Sequence, residues 1–477
     1  MSNSSTMNSS TKKLLNGSMI YFVGNALTQL ISLLLMRFVT GNITPAEYGF
    51  FNLVTTVSNL VIPFVTLQIA DAVFKFVLKS NDENEKKCYF TICYTVALFS
   101  VVIIVIGTFV ISFFTEIPNA SLVAIYVASY AVFGIYQKII RSLNKNKIYV
   151  QGNLIKTVIF LTLEILLISM LDMGIEALLL SHIFSIAFFI VYSELRVKAL
   201  KYLNFKFLNV SVFKTMMRFS IPLIPNAAFW WLTSSVNNVV ISAKLGMDVN
   251  GIYSVAGRFS GVLTMVTSVL NMSWQDTAIA DYGSENFSSF FTHTFNSFVK
   301  LIFSAIVVLN TAVYIVIPYL IDPTYYDAIP FAPFLLTISG VSTMSGFVAQ
   351  IFTGKGETGR ILTTSIFGMI ANVVIVICTI KSLGLWAAVV GSFAADSVLL
   401  ITRIIYARKE FAKGLDYKSF VLISGMLVAG MVLYFKGNML VNLIWFAISI
   451  FVAILLNLEF IKNIFTILFR RKNKVNT

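Results

Sequence analysis

Residues 89–113 read YFTICYTVALFSVVIIVIGTFVISF, a stretch that contains no charged side chain. A helix of this length rises about 37 Å at about 1.5 Å per residue, enough to cross the hydrocarbon core of a bilayer, which is about 30 Å thick. Similar apolar runs recur along the chain, which is 57% apolar and only 12% charged. Soluble proteins carry about 25% charged residues. The sequence therefore predicts an all-α polytopic membrane protein and excludes a soluble enzyme.

Apolar runs separated by polar breaks predict about fourteen transmembrane helices. The breaks are short, none longer than about 25 residues, so no folded soluble domain fits between them. The predicted spans lie near residues 19–39, 48–70, 89–113, 120–140, 150–171, 174–195, 219–243, 251–273, 295–317, 329–352, 361–380, 384–406, 419–435 and 439–460.

The basic residues are distributed unequally between the two sides of the predicted bundle. With the N-terminus inside, the inner segments hold about 28 Lys and Arg residues, among them Arg403, and the outer segments hold three. This positive-inside bias predicts that both termini are cytoplasmic. It also explains the net charge of +14 without nucleic-acid binding. One predicted inner segment, 274–290, does not follow the positive-inside bias, because it carries three acidic residues and no Lys or Arg.

Short motifs recur at an offset of roughly 200 to 210 residues. TPAEYGFF at 44–51 corresponds to MDVNGIY at 247–253, and GIEA at 174–177 corresponds to GLWA at 384–387. We interpret this repeat as two six-helix lobes in the same orientation, related by an axis along the membrane normal. The predicted divisions are a first lobe in 1–195, a basic cytoplasmic linker in 196–218, a second lobe in 219–408, and two additional helices with a basic tail in 409–477.

Four stretches carry a resemblance to a known family. They are residues 37–51, IPLIPN at 221–226, GIYSVAGR at 251–258 and NMSWQ at 271–275. In order and over essentially the whole chain, the sequence resembles the oligosaccharidyl-lipid (Wzx-like) flippases of the multidrug/oligosaccharidyl-lipid/polysaccharide exporter superfamily. The resemblance implies two six-helix bundles that face a central cavity, plus two C-terminal helices.

The resemblance also implies a function. Such a flippase translocates an undecaprenyl (pyro)phosphate-linked oligosaccharide across the plasma membrane, by alternating access, for O-antigen, capsule, teichoic acid or other surface polysaccharide. Its expected partners are the lipid-linked oligosaccharide, membrane lipids, and a polysaccharide polymerase with chain-length machinery. We expect no enzymatic activity, no cofactor, no metal and no nucleic acid. Two alternatives stay open, a peptidoglycan-precursor lipid flippase and a multidrug or cation exporter of the same superfamily.

Three cationic residues inside predicted spans are candidates to bind an anionic head group. Arg258 lies about seven residues into the eighth span, roughly 10 Å deep, and its planar fork of donors suits a phosphate. The alternative for Arg258 is a structural ion pair. Arg37, near the outer end of the first span, either contacts substrate or snorkels to the interface. The same choice applies to Lys156 in the fifth span, whereas Lys300 is expected to anchor the inner end of the ninth span.

Polar and acidic residues in the spans are further candidates. Glu164 and Asp396 lie deep, so each is expected to be paired, protonated or involved in ion coupling. Amide side chains either hydrogen-bond sugar hydroxyls or hold helices together. The amide candidates are Asn25, Gln29, Asn237 and Asn238.

Two motifs need a structural interpretation. GKGETG at 354–359 matches the dinucleotide fingerprint G-x-G-x-x-G, but that fingerprint works only between a strand and a helix. Here it joins two predicted spans, so we expect a loop. Pro222 and Pro225 begin the seventh span, where they either form a hinge for alternating access or a fixed kink.

Overall fold

A computed structural model of the chain describes residues 33, 35–355, 357–412, 414–459 and 462, and this part of the chain contains helices and turns but no β-strand. It divides into two compact units. The first unit extends from Asn42 to Gly251, and the second joins the short stretch before Asn42 to the chain that follows Gly251. The lobes derived from the sequence repeat stay a prediction.

The α-helices are numbered in chain order. As far as Ser220 they are α1 (Met36–Asn42), α2 (Pro45–Val65), α3 (Ile69–Lys79), α4 (Glu83–Ser112), α5 (Ala120–Ser142), α6 (Asn146–Leu171), α7 (Ile175–Val197) and α8 (Val210–Ser220). From Leu223 they are α9 (Leu223–Leu245), α10 (Met247–Arg258), α11 (Ser260–Asp281), α12 (Phe287–Leu320), α13 (Ala332–Lys355), α14 (Thr358–Leu383), α15 (Trp386–Tyr406), α16 (Tyr417–Lys436) and α17 (Met439–Leu456). Short 3-10 turns lie at Ala199–Tyr202, Phe205–Phe207, Pro323–Ala328 and Arg408–Glu410.

Eleven helices of the described chain are long and apolar enough to cross a membrane, namely α2, α4 to α7 and α12 to α17. Many large apolar side chains are exposed on these helices, as a lipid-facing surface requires. On α4, for example, Phe99, Ile103 and Ile106 are each more than half exposed. The prediction of an all-α polytopic membrane protein is therefore confirmed. Of the other predicted spans, the first begins outside the described residues, the seventh corresponds to α9, and the eighth is divided between α10 and α11.

Two predicted spans are interrupted in the structure. The second, expected at 48–70, breaks between α2 and α3, where Leu67 and Gln68 have left-handed backbone angles with φ of 51°. The eighth breaks at Phe259, and α11 then continues to Asp281. The expected loop at 274–290 is therefore largely helical. Hydropathy does not detect these breaks because the apolar residues continue across them.

Pro222 and Pro225 lie at the beginning of α9. Pro222 is the residue that precedes the first helical position, and Pro225 lies within the first turn. The backbone N–H groups of a first turn have no partner inside the helix, so proline removes no hydrogen bond there. The two prolines therefore define where α9 begins, and their use as a hinge stays a prediction.

The first copy of the repeat motif forms the beginning of α2. Thr44 is the N-cap, and its side chain and that of Glu47 each accept a hydrogen bond from the other residue's backbone N–H. Such a capping box satisfies two amides that have no helical partner. Glu47 Oε1 also accepts a 3.2 Å hydrogen bond from the backbone N–H of Ile175, at the start of α7. One carboxylate therefore joins the N-terminal ends of two helices.

The two copies of this motif contact each other through their glycines. A Cβ atom at Gly49 would lie 1.7 Å from the carbonyl oxygen of Met247, and one at Gly251 would lie 1.9 Å from that of Pro45. The contact is reciprocal, because Gly49 and Gly251 occupy one motif position and Pro45 and Met247 occupy another. Reciprocal contacts of this kind are typical of a local two-fold relationship. Only glycine allows the two helices to approach so closely.

Trp274, from the NMSWQ stretch, lies in the core of the second unit. Its indole Nε1 donates a 2.9 Å hydrogen bond to the backbone oxygen of Phe347, and the two rings stack with centroids 4.3 Å apart. Phe291 of α12 packs against both rings. This stretch of the family resemblance therefore joins α11, α12 and α13.

Candidate functional site

The predicted site residues lie in both units, and each unit is described by itself. Gln29 and Asn25 lie outside the described residues. The first unit contains Lys156, Glu164, Asn237 and Asn238, and the second contains Arg37, Arg258 and Asp396.

Lys156 is a half-buried cation on α6 of the first unit. Its Nζ lies 5.1 Å from the ring centroid of Phe133 on α5, within the range of a cation–π interaction. Within the described chain, Nζ forms no ion pair with a carboxylate. The charge of Lys156 is thus supported by an aromatic face, which leaves the three N–H donors of the ammonium for a ligand.

Glu164 is a buried acid on the same helix, with 5% of its surface exposed. It follows Lys156 by eight residues, so the two lie on one helix face about 12 Å apart along the axis. They are too far apart to bond directly. Glu164 is therefore balanced by other groups, and its use in ion coupling stays a prediction.

His182 packs among aromatic rings in the first unit. Its ring centroid lies 4.2 Å from that of Phe160 and 5.3 Å from that of Phe51. The ring of Tyr126 meets it edge-on. These contacts show that His182 packs in an aromatic cluster of the first unit.

Asn237 and Asn238 lie on α9 in different surroundings. Asn237 is buried, with 7% of its surface exposed, and Asn238 is half-buried. On the same helix, Trp231 Nε1 donates a 2.6 Å hydrogen bond to the backbone oxygen of Thr56 and so anchors α9 to α2. Burial favours a helix-packing role for Asn237, whereas Asn238 is the more accessible of the two amides.

Arg258 is the last residue of α10, and its side chain is exposed. Phe259, whose backbone angles are helical, separates Arg258 from the first residue of α11. The exposed guanidinium of Arg258 therefore lies at a one-residue interruption between α10 and α11.

Arg37 connects α1 to the end of α12 in the second unit. Its Nη1 donates a hydrogen bond to the backbone oxygen of Ile321, and its Nη2 lies 3.7 Å from Asp322 Oδ2. The backbone N–H of Asp322 donates in turn to Thr40 Oγ1 over 2.9 Å. These contacts give Arg37 a structural role. Its side chain is 46% exposed, and its contact with a ligand stays a prediction.

Arg403 is a buried cation whose surroundings the sequence did not indicate. It was counted among the inner basic residues, and it lies near the end of α15 with only 6% of its surface exposed. Its guanidinium donates hydrogen bonds to Ser345 Oγ over 2.8 Å, to Ser365 Oγ over 3.1 Å and to Thr364 Oγ1 over 3.2 Å. A charged group this deep needs such partners to offset the loss of its hydration.

Asp396 lies two helical turns before Arg403. Its carboxylate forms a hydrogen bond with Ser342 of α13 and is attracted electrostatically by Arg403. The two residues are seven positions apart, so they share one face of α15. This spacing of opposite charges inside an apolar run is the signal that could have identified Arg403 from the sequence.

The fold is shared with solved transporter structures. A structure of the lipid II flippase MurJ in an inward closed conformation aligns with a TM-score of 0.67 at 14% identity, over 95% of this chain and all of that one. An inward-facing multidrug resistance MATE family transporter of the MOP superfamily aligns with a TM-score of 0.64 at 13% identity, over 86% and 95% of the two chains. An outward-facing member of that family gives 0.55 at 14% identity, over 86% and 94%. At these identities the similarity shows the fold.

Sequence comparison shows the family. No curated protein sequence is detectably similar to this chain. The family described as "Polysaccharide biosynthesis protein" matches residues 14–279, which is more than half of the chain. The chain belongs to this polysaccharide biosynthesis protein family.

Proposed function

We propose that this protein is a flippase that moves an undecaprenyl (pyro)phosphate-linked oligosaccharide across the plasma membrane by alternating access. The observation that carries the proposal is the combination of membership in a polysaccharide biosynthesis family with a fold that aligns with a lipid flippase over 95% of this chain. The surface polymer it serves is O-antigen, capsule, teichoic acid or a related polysaccharide. No enzymatic step is part of the proposal.

Lys156 of the first unit and Arg258 of the second unit are each proposed as a contact for a phosphate. A cation in the middle of a bilayer costs about 2.5–3.5 kcal/mol, so such residues are retained where they serve an aqueous cavity. Lys156 has an aromatic neighbour and no carboxylate partner in the described chain, and Arg258 is exposed. Asn238 is the proposed contact for a sugar hydroxyl, together with Gln29. The proposal of phosphate binding is weaker for Arg37, because its guanidinium forms an ion pair with Asp322.

Part of the driving force comes from the membrane potential. Moving one charge through 100 mV is worth about 2.3 kcal/mol, so a head group with two negative charges gains about 4–5 kcal/mol on leaving a cell that is negative inside. The return of the unloaded cavity cations offsets part of this gain. Glu164 and Asp396 are the proposed sites if an ion also returns.

The proposed setting follows from this role. The protein is placed in the plasma membrane with cytoplasmic termini, where it receives the lipid-linked unit and delivers it to a polymerase and chain-length machinery on the other side. The positive-inside distribution of Lys and Arg supports this orientation.

Two other cargoes have specific support. The alignment with the lipid II flippase favours a peptidoglycan precursor as the second candidate. A multidrug or cation exporter is supported by the MATE alignments. However, an exporter of cations needs acidic groups in the transport path, whereas α9 contains no Asp or Glu and the first predicted span carries Arg37.

The experiment is complementation of a deletion strain. Wild type, Lys156→Ala and Arg258→Ala are expressed in the strain, and both surface polymer and intracellular lipid-linked oligosaccharide are measured. We expect wild type to restore polymer, and both variants to leave lipid-linked oligosaccharide accumulated at equal protein levels. Matched controls are Lys147→Ala, exposed in the first turn of α6, and Arg360→Ala, exposed on α14. Normal polymer in the deletion strain, with raised drug sensitivity, would contradict the proposal and favour the exporter.

A further inference from the structure

Residues 196–218, which extend from the last turn of α7 through most of α8, have an unusual composition. We define them as the basic segment. It contains six Lys and Arg residues and no Asp or Glu. All six basic side chains are exposed, namely Arg196, Lys198, Lys201, Lys206, Lys214 and Arg218.

The basic segment packs against α4, whereas the sequence predicted a linker. The backbone N–H of Asn204 donates a 2.9 Å hydrogen bond to Thr91 Oγ1. The ring of Tyr202 stacks on that of Phe90 with centroids 5.0 Å apart, and both side chains are buried. Met216 of α8 belongs to the same cluster of buried side chains and is fully buried. The conformation of the basic segment is therefore fixed by the core of the first unit.

This fixed backbone presents large apolar side chains to the exterior. Phe205 is 65% exposed, Val210 is 68% exposed, and Leu200 and Leu208 are each nearly half exposed. They alternate along the chain with exposed lysines at 201 and 206. Apolar residues interleaved with lysines are typical of a protein surface that lies in the interface of an anionic membrane.

Two of these residues, Leu208 and Val210, line an apolar cavity of about 210 Å³. Its other walls come from Ile92, Thr95 and Val96 of α4 and from Phe213 of α8, and no charged side chain lines it. Such a cavity suits a hydrocarbon chain, and the lysines at 201 and 206, a few residues before Leu208 in the chain, suit a phosphate.

We propose that the basic segment binds one anionic phospholipid of the adjacent leaflet, with its phosphate held by Lys201 and Lys206 and one acyl chain inserted into the cavity between α4 and α8. Lys87, whose Nζ lies 5.3 Å from the ring centroid of Phe207, adds a third positive charge. The bound lipid fixes the first unit to the membrane surface. This role is independent of the cargo that the transporter moves.

The charge requirement is tested with the full-length protein in detergent, titrated with phosphatidylglycerol and observed by native mass spectrometry. Each lysine near an anionic lipid surface is worth about 1 kcal/mol, which is about fivefold in affinity, so Lys201→Gln with Lys206→Gln should weaken binding about 25-fold. The matched control is Lys145→Gln with Lys147→Gln, an exposed lysine pair at the beginning of α6 in the same unit. Equal loss in the control pair, or equal binding of phosphatidylcholine by wild type, would overturn the proposal.

The acyl-chain requirement is tested by filling the cavity. Thr95 is half-buried, and its hydroxyl donates a 2.8 Å hydrogen bond to the backbone oxygen of Thr91 on its own helix. Thr95→Trp should abolish tight phosphatidylglycerol binding, whereas Thr108→Trp, half-buried two to four turns further along α4, should not. Glycerol phosphate without acyl chains should bind wild type at least tenfold more weakly. If Thr95→Trp binds like wild type, or glycerol phosphate binds as tightly as the lipid, the cavity does not hold an acyl chain.

Discussion

The side-chain amide of Asn250 donates a 2.9 Å hydrogen bond to the backbone carbonyl of Gly49. Asn250 is completely buried, and it immediately precedes Gly251, whose backbone contacts the first turn of α2. The two copies of the repeat motif are thus joined both by close glycine packing and by a buried polar bond. A buried hydrogen bond of this kind fixes the register of two helices, because either partner alone would be costly.

Replacement of Gly49 by alanine should destabilise the protein strongly. The added Cβ would lie 1.7 Å from the oxygen of Met247, so the helices would have to separate. Overpacking of this kind costs about 1–3 kcal/mol or more. We expect a clear fall in the thermal midpoint of the purified protein. The control is Gly134→Ala on α5, where no atom lies within 4 Å of the new Cβ and alanine is the better helix former. Equal midpoints for both variants would contradict the close contact.

Loss of Glu47 should loosen the beginning of α7 as well as that of α2. Glu47→Ala removes the acceptor for Ile175 N–H and the reciprocal bond with Thr44. A lost cap costs about 0.5–2 kcal/mol. Hydrogen exchange should therefore accelerate in the peptide that contains Ile175, although it lies 128 positions away in the sequence. Glu176→Ala is the control and should leave that exchange unchanged, because this half-buried acid in the same turn bonds instead to the side chain of Asn119, the N-cap of α5.

Arg403 and Asp396 should behave as a coupled pair. Arg403→Ala removes the electrostatic attraction that the guanidinium exerts on the carboxylate of Asp396. Interaction energies between coupled buried residues are about 0.5–3 kcal/mol. We therefore expect Arg403→Ala to lower the thermal midpoint and the Asp396→Asn substitution to restore part of it in the double variant. If the two substitutions are additive in a double-mutant cycle of wild type, the two single variants and the double variant, the residues act independently.

Asp416 should make stability depend on acid pH. Its carboxylate accepts a hydrogen bond from Lys300 and one from the backbone N–H of Ser419, and these contacts lower the pKa of Asp416 to about 2, against a smaller opposing effect of burial. Because the folded pKa lies below the ordinary value of about 3.9, the stabilisation is complete above about pH 4 and is lost as the pH falls toward 2.

The measurement for Asp416 is the difference in thermal midpoint between wild type and Asp416→Asn from pH 7 to pH 2.5. We expect wild type to be the more stable at neutral pH and the difference to shrink below pH 4. Lys300, whose Nζ lies 2.5 Å from Asp416 Oδ2, supplies the control. In a Lys300→Met background the same substitution at Asp416 should show a smaller pH dependence. A difference that stays constant over the whole range would refute the ion pair.

The membrane fold was predictable because long apolar runs report directly on the environment of a helix. The capping motif at Thr44–Glu47 was also recognised, as part of a repeat, although its bond to Ile175 requires the folded chain. The break at Leu67 and Gln68 could not be predicted, because a left-handed backbone in two non-glycine residues is imposed by the surrounding packing.

The surroundings of the candidate residues were predictable only in part. Lys156 and Arg258 stand out as cations in apolar runs, so composition identifies them as candidates. The direction in which a charged side chain points within a helix is decided by its neighbours, and this is why the burial of Arg403 and the pairing of Arg37 with Asp322 were not predicted. Helices from distant parts of the chain supply these partners, so a single sequence does not show them.

The central claim is that the protein flips a lipid-linked oligosaccharide and that Lys156 and Arg258 bind its phosphates. The direct test is reconstitution of the purified protein into liposomes that contain this lipid, with the fraction accessible to a glycosidase added outside measured over time. The account predicts rapid exposure of the inner-leaflet pool by wild type and by Lys147→Ala, and at least tenfold slower exposure by Lys156→Ala with Arg258→Ala. If wild type exposes this lipid no faster than empty liposomes while it transports lipid II or a cationic drug, the claim is wrong.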